Sequence, residues 1–67
     1  MIELGNRLRD AREAKGWTQA QLAEAIQVSR KTVNTVENGV FTPSTTIALK
    51  LARALGEPVE HLFWLVE

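Results

Sequence analysis

The sequence predicts an all-α fold, a compact bundle of five short helices, on three observations. Apolar residues recur at intervals of three and four through most of the 67 residues. Three of these runs begin at a residue type that caps helices, namely Thr18, Ser29 and Ser44. Glycines such as Gly56 follow the runs as stop signals. We therefore expect one domain spanning residues 1–67.

The first three helices follow directly from these local signals. Helix 1 is predicted over residues 4–15, with its apolar stripe starting at Leu4 and Gly16 as its stop. Thr18 caps helix 2, and Gln21 completes a capping box. Helix 2 ends near Gln27, and helix 3 follows almost at once, running to about residue 38. Helices this short are marginal alone, so helices 2 and 3 must cross steeply and pack on each other.

Helix 4 starts at its Ser44 cap and ends at Gly56, with an apolar stripe at helical spacing. That stripe is Ile47, Ala48, Leu51, Ala52 and Leu55. Helix 5 is predicted to follow with Pro58 at its first position and Glu57 as its cap.

The C-terminal tail has two interpretations. Its residues Phe63, Trp64, Leu65 and Val66 are continuously apolar, so they either extend helix 5 or form a short strand. Met1 and Ile2 are available to pair with such a strand. Trp64 falls off the helical stripe, and an exposed aromatic residue in an apolar cluster is typical of an interface. The four tail residues are therefore the candidate interface of a homodimer.

Composition excludes several classes of function. The chain has no cysteine, one histidine and equal numbers of basic and acidic residues. These numbers predict no metal site and no cofactor, and the absence of cysteine fits a cytoplasmic protein. No apolar run approaches the ~20 residues that span a membrane. The sequence also lacks a catalytic triad, a phosphate-binding glycine loop and an evident small-molecule site, so we expect no enzyme.

The outer face of helix 3 carries side chains that suit nucleic acid. These are Arg30, Lys31, Asn34, Thr35 and Asn38. A cation at a helix N-terminus is locally unfavourable because it meets the positive end of the helix dipole. The presence of Arg30 and Lys31 there therefore indicates a functional role. Together with the preceding helix, this face predicts a helix-turn-helix over about residues 18–38 that reads the major groove of double-stranded DNA.

The chain resembles the Cro/cI-type (XRE-like) helix-turn-helix regulators over nearly its whole length. The matching segments are LGNRLRDAREAKGWTQAQLAEAI, VSRKTVNTVENG, PSTTIALKLARALG and PVEHLF. In size it is most similar to the small stand-alone repressors of this family. The resemblance implies a lambda-repressor-like fold and binding to an operator.

The resemblance also implies roles for single residues. Gln19 matches a glutamine that contacts a DNA phosphate and the recognition helix. Arg12 and Glu37 match a partly buried ion pair between helices 1 and 3. The positions implied to contact DNA are Thr18, Gln19, Ser29, Arg30, Lys31, Thr32, Asn34, Thr35, Asn38, Val40, Phe41 and Thr42. From residues 40–42 the backbone is expected to touch phosphate. Phe41 either fills the core or lies against the DNA backbone.

One departure concerns the turn. The family places a glycine where this chain has Gln27. A left-handed backbone at a non-glycine residue costs about 1 kcal/mol. We expect the turn to be strained and the motif to persist.

The functional hypothesis is a sequence-specific transcriptional regulator, a repressor that binds a two-fold operator as a homodimer. Two alternatives remain. One is a protein-interaction module with the same fold, and the other is an antitoxin or restriction-control regulator coupled to a partner protein.

Overall fold

A computed structural model describes residues 3–67, which form five helices and one two-stranded antiparallel sheet. In chain order the elements are β1 (Glu3–Asn6), α1 (Leu8–Ala14), α2 (Gln19–Ile26), α3 (Arg30–Glu37), α4 (Thr45–Leu55), α5 (Val59–Leu62) and β2 (Phe63–Val66). The predicted five-helix fold is confirmed, and the tail forms a strand.

The strand pair corrects the predicted start of helix 1. Residues 3–6 pair with the C-terminal tail, from Glu3 opposite Val66 to Asn6 opposite Phe63. Helix α1 therefore begins only at Leu8, whose amide donates to Asn6 Oδ1 at 3.0 Å. The local apolar spacing did not reveal this, because the strand's hydrogen-bonding partner lies at the other end of the sequence. The pairing expected of residues 1 and 2 lies outside the described residues.

Helix α5 is a single turn and starts one residue later than predicted. Pro58 is its N-cap, with φ −62° and an extended ψ of 150°, so the first helical residue is Val59. The His61 amide donates to the Pro58 carbonyl at 3.0 Å. Glu57 therefore lies before the cap rather than at it.

Side-chain caps start the three central helices as predicted. Thr18 Oγ1 accepts from the Gln21 amide while Gln21 Oε1 accepts from the Thr18 amide, which completes the capping box. Ser29 Oγ accepts from the Thr32 amide, and Ser44 Oγ accepts from the Ile47 amide. Each such cap is worth about 1 kcal/mol, so local sequence specifies where these helices begin.

The core takes one fully buried side chain from each helix. These are Leu8, Leu22, Val33, Leu51 and Leu62. Burying a side chain of this size contributes roughly 1.5–3 kcal/mol, so each helix is held mainly by its neighbours. No helix within residues 3–67 is long and apolar enough to cross a bilayer. The same residues contain no group of His, Cys, Asp or Glu arranged to hold a metal ion.

Candidate nucleic-acid interface

Helices α2 and α3 are joined by a tight turn. Gln27 has the left-handed backbone expected from the sequence, with φ 60° and ψ 46°. The amide of Val28 donates to the Ala23 carbonyl at 3.0 Å, and Ser29 then caps α3. Ala23 is buried in the core, where its small side chain allows the two helices to approach closely. This arrangement is a helix-turn-helix.

Helix α3 has an inner and an outer face. Val33 and Val36 are buried on the inner face. Arg30 and Lys31 are exposed at the helix start, and Asn34 lies half-buried beside them. The outer face therefore presents two cations and one amide.

The exposed charge of this region is positive although the whole chain is neutral. Between residues 29 and 42 the sequence has three charged residues, Arg30, Lys31 and Glu37. The Glu37 side chain is only 1% exposed and is paired. Because the one acidic group points inward, the two cations dominate the outward potential of this segment.

The structure brings Arg12 and Glu37 together at the C-terminal end of α3. Arg12 Nε donates to Glu37 Oε2 at 2.7 Å, and Arg12 Nη2 donates to Oε1 at 3.2 Å. Arg12 Nη1 also donates to the Trp17 carbonyl at 2.8 Å. The hydrogen bonds that Arg12 donates to Glu37 raise the pKa of the Arg12 guanidinium, so Arg12 remains charged. Arg9 Nε approaches Oε1 at 3.8 Å, a contact that its i, i+3 spacing from Arg12 could have indicated.

A series of side-chain amides runs outward from the ion pair. Gln19 Nε2 donates to Glu37 Oε1 at 3.1 Å. Asn34 Nδ2 donates to Gln19 Oε1 at 3.4 Å, and Asn38 Nδ2 donates to Asn34 Oδ1 at 3.2 Å. The three amides expected to contact DNA are therefore linked to one another and to the buried carboxylate.

The hydroxyl groups of the site make local hydrogen bonds. Thr35 Oγ1 donates to the carbonyls of Lys31 and Thr32, each at 3.0 Å. Ser29 Oγ lies 3.0 Å from Thr32 Oγ1. Thr18 Oγ1 belongs to the capping box of α2. If Thr35 Oγ1 donated to DNA, it would share or replace its existing bonds, whereas the Thr18 hydroxyl only accepts in the capping box and can still donate.

The loop after α3 is held by backbone hydrogen bonds to the helix. The amides of Val40 and Phe41 both donate to the Thr35 carbonyl, at 2.9 and 3.2 Å. These two amides therefore already have an acceptor within the protein, and the phosphate contacts expected of residues 40–42 stay a prediction. The side chains of Val40 and Phe41 are exposed, so Phe41 does not fill the core. Thr42 is also exposed.

The C-terminal strand separates the four residues assigned to a dimer interface. Phe63 is 7% exposed and belongs to the core, which corrects its assignment. Trp64, Leu65 and Val66 remain exposed, at 45%, 64% and 43%. Strand alternation places Trp64 and Val66 on the face opposite to Phe63, whereas Leu65 shares the Phe63 face and is still exposed. Three large apolar side chains are thus open at the sheet.

Residues 8–62 match the family model described as helix-turn-helix. The fold, the turn and the outer face of α3 agree with this match, and the chain belongs to the helix-turn-helix family of DNA-binding transcriptional regulators.

Individual relatives give the same result. The uncharacterized HTH-type transcriptional regulator YgzD of Bacillus subtilis is 37% identical over 62 residues, covering 92% of this chain and 94% of its own. The competence pilus inhibition repressor of Acinetobacter baylyi is 35% identical over 66 residues, or 98% of this chain and 60% of its own.

Solved structures share the fold. The restriction-modification controller protein C.AhdI of Aeromonas hydrophila superposes with a TM-score of 0.78 at 40% identity, covering 82% of this chain and 83% of its own. The clp gene regulator ClgR of Corynebacterium glutamicum has a TM-score of 0.74 at 36% identity, covering 78% of this chain and 55% of its own.

Proposed function

We propose that this chain is a sequence-specific repressor that inserts α3 into the major groove of double-stranded DNA. The observation that carries the proposal is the outer face of α3, where Arg30 and Lys31 are exposed beside the Asn34 amide. Arginine and lysine pair with guanine, and asparagine pairs with adenine, through hydrogen bonds to base edges. Gln19 stands next to Asn34 at the start of α2, and we expect it to contact the flanking phosphate backbone.

The second part of the proposal is that two copies bind a two-fold operator. The exposed apolar patch on β2 consists of Trp64 and Val66 on one face and Leu65 on the other, and a patch of this kind favours symmetric pairing of identical chains. Such a dimer would hold two recognition helices at a fixed separation. The operator would then carry two half-sites about one helical turn apart, ~34 Å.

The relatives support a repressor and suggest one second candidate. The Acinetobacter relative is a competence pilus inhibition repressor, which favours repression. The similarity to C.AhdI favours control of a restriction-modification system as the alternative. Both functions rest on the same DNA contacts, and both would be exercised in the cytoplasm.

Selection from a random duplex pool tests the proposal. The wild-type chain should enrich one sequence with two related half-sites, and Asn34→Ala should alter the enriched sequence at one base pair in each. A pool without enrichment would contradict the proposal and favour a protein-interaction module. If the chain also retains genomic DNA that lies beside restriction-modification genes, the second candidate is favoured over a general repressor.

A further inference from the structure

We infer that Glu37 is a positioning residue for DNA readout. It fixes which end of each side-chain amide, nitrogen or oxygen, faces the next one in the series Gln19, Asn34 and Asn38. Through Gln19 it determines which atom of the Asn34 amide lies on which side. This inference rests on the proposed function, and it adds the reason for one base preference.

The direction starts at the buried carboxylate. An ionised carboxylate only accepts hydrogen bonds, so Gln19 must turn its Nε2 toward Glu37. The Glu37 side chain is 1% exposed and is fixed by two hydrogen bonds from Arg12. The carboxylate is therefore buried and held in one orientation beside Gln19.

The direction is then passed along the series. With Nε2 held at Glu37, the Oε1 atom of Gln19 faces Asn34 and can only accept, so Asn34 must present Nδ2. Oδ1 of Asn34 consequently faces Asn38, which donates through its own Nδ2. Every amide donates toward Glu37. Turning over one of them would set donor against donor or acceptor against acceptor.

The fixed direction has a consequence for base recognition. Asn34 keeps one free N–H and one free lone pair after its two hydrogen bonds. Adenine offers an acceptor, N7, and a donor, the N6 amino group, side by side in the major groove. An amide of fixed direction matches these two groups in one order only. A freely turning amide would accept both orders and discriminate less between bases.

The experiment measures discrimination at a single base pair. The wild-type chain first selects its operator, and Asn34→Ala identifies the base pair that Asn34 reads. The ratio of dissociation constants for the wrong and right base there is expected to be roughly 5- to 150-fold for wild type. In Gln19→Ala and Glu37→Gln it should fall toward the ratio of Asn34→Ala, with unchanged discrimination at other base pairs.

Lys31→Ala is the matched control, since it removes a neighbouring charge outside the amide series. It should weaken binding and leave the ratio at the Asn34 base pair as in wild type. If circular dichroism shows that Glu37→Gln is unfolded, Gln19→Ala alone provides the test. This variant is expected to fold, because position 19 is half-buried at the start of α2 and alanine is favourable in helices.

Two results overturn the inference and leave sequence-specific binding of DNA by α3 intact. One is a folded Gln19→Ala variant with the wild-type ratio at the Asn34 base pair. The other is an operator in which Asn34→Ala changes no base preference. A wild-type chain that selects no duplex overturns the proposed function itself, and this inference with it.

Discussion

Arg12 Nε lies 2.7 Å from Glu37 Oε2, and this bond ties α1 to the last turn of α3. Glu37→Ala leaves the Arg12 charge buried without its partner, so the variant should lose about 3–5 kcal/mol of unfolding free energy. Small domains have only about 5–15 kcal/mol in total. Urea denaturation followed by circular dichroism measures the loss. The exposed Glu24→Ala is the control and should stay within about 0.5 kcal/mol of wild type. Equal midpoints for Glu37→Ala and wild type would show that the pair contributes little.

The sequence predicted those parts of the fold that depend on neighbouring residues. The caps at Thr18, Ser29 and Ser44 follow from side chains within three positions of the amides they satisfy. The left-handed turn at Gln27 followed from the resemblance, because the family places a glycine at that position. Strand β1 did not, because its partner β2 lies at the other end of the chain.

The candidate site was predictable to a similar degree. The resemblance located the residues of α3, whereas the order of the Gln19, Asn34 and Asn38 amides depends on three side chains meeting across two helices. The backbone amides of Val40 and Phe41 donate to the Thr35 carbonyl because of the backbone conformation after α3, and residue types alone do not predict that conformation. Phe63 was misassigned because its burial depends on the strand alternation of the tail.

Replacing Gln27 with glycine should stabilise the protein. Gln27 holds φ 60° in the turn, a conformation that glycine adopts without steric cost. Gln27→Gly is expected to gain up to about 1 kcal/mol. For a domain of this size that gain corresponds to a melting temperature higher by roughly 4–8 °C. Gln27→Ala is the control and should not raise it. A lower melting temperature for the glycine variant would indicate that the Gln27 side chain has a stabilising role of its own.

A side chain at position 5 should displace the indole of Trp64. Gly5 lies opposite Trp64 in the strand pair, and a Cβ there would meet the Trp64 ring and, at 2.9 Å, a methyl of Val66. Gly5→Ala should therefore move the half-exposed ring into solvent and shift its fluorescence to longer wavelength. The measurement uses a Trp17→Phe background, so that Trp64 alone reports. An unshifted spectrum in a folded variant would mean that the ring does not cover Gly5.

The proposed dimer should depend on Trp64. Trp64→Glu places a charge in the exposed patch while Phe63 keeps its core position. Sedimentation equilibrium should show a wild-type dimer and a folded monomeric variant with much weaker operator binding. His61→Glu is the control, because it adds the same charge at an exposed residue of α5 outside the patch. A Trp64→Glu variant that remains dimeric would move the interface to another surface.

The most direct test of DNA readout by α3 is a comparison of two dissociation constants at one fixed salt concentration. One is for the selected duplex, and the other is for a scrambled duplex of the same length and composition. We predict that the selected duplex binds at least about 10³-fold more tightly, as is typical of specific regulators. Arg30→Ala and Lys31→Ala should lower this ratio or the salt dependence of binding. Equal constants for the two duplexes would contradict the account.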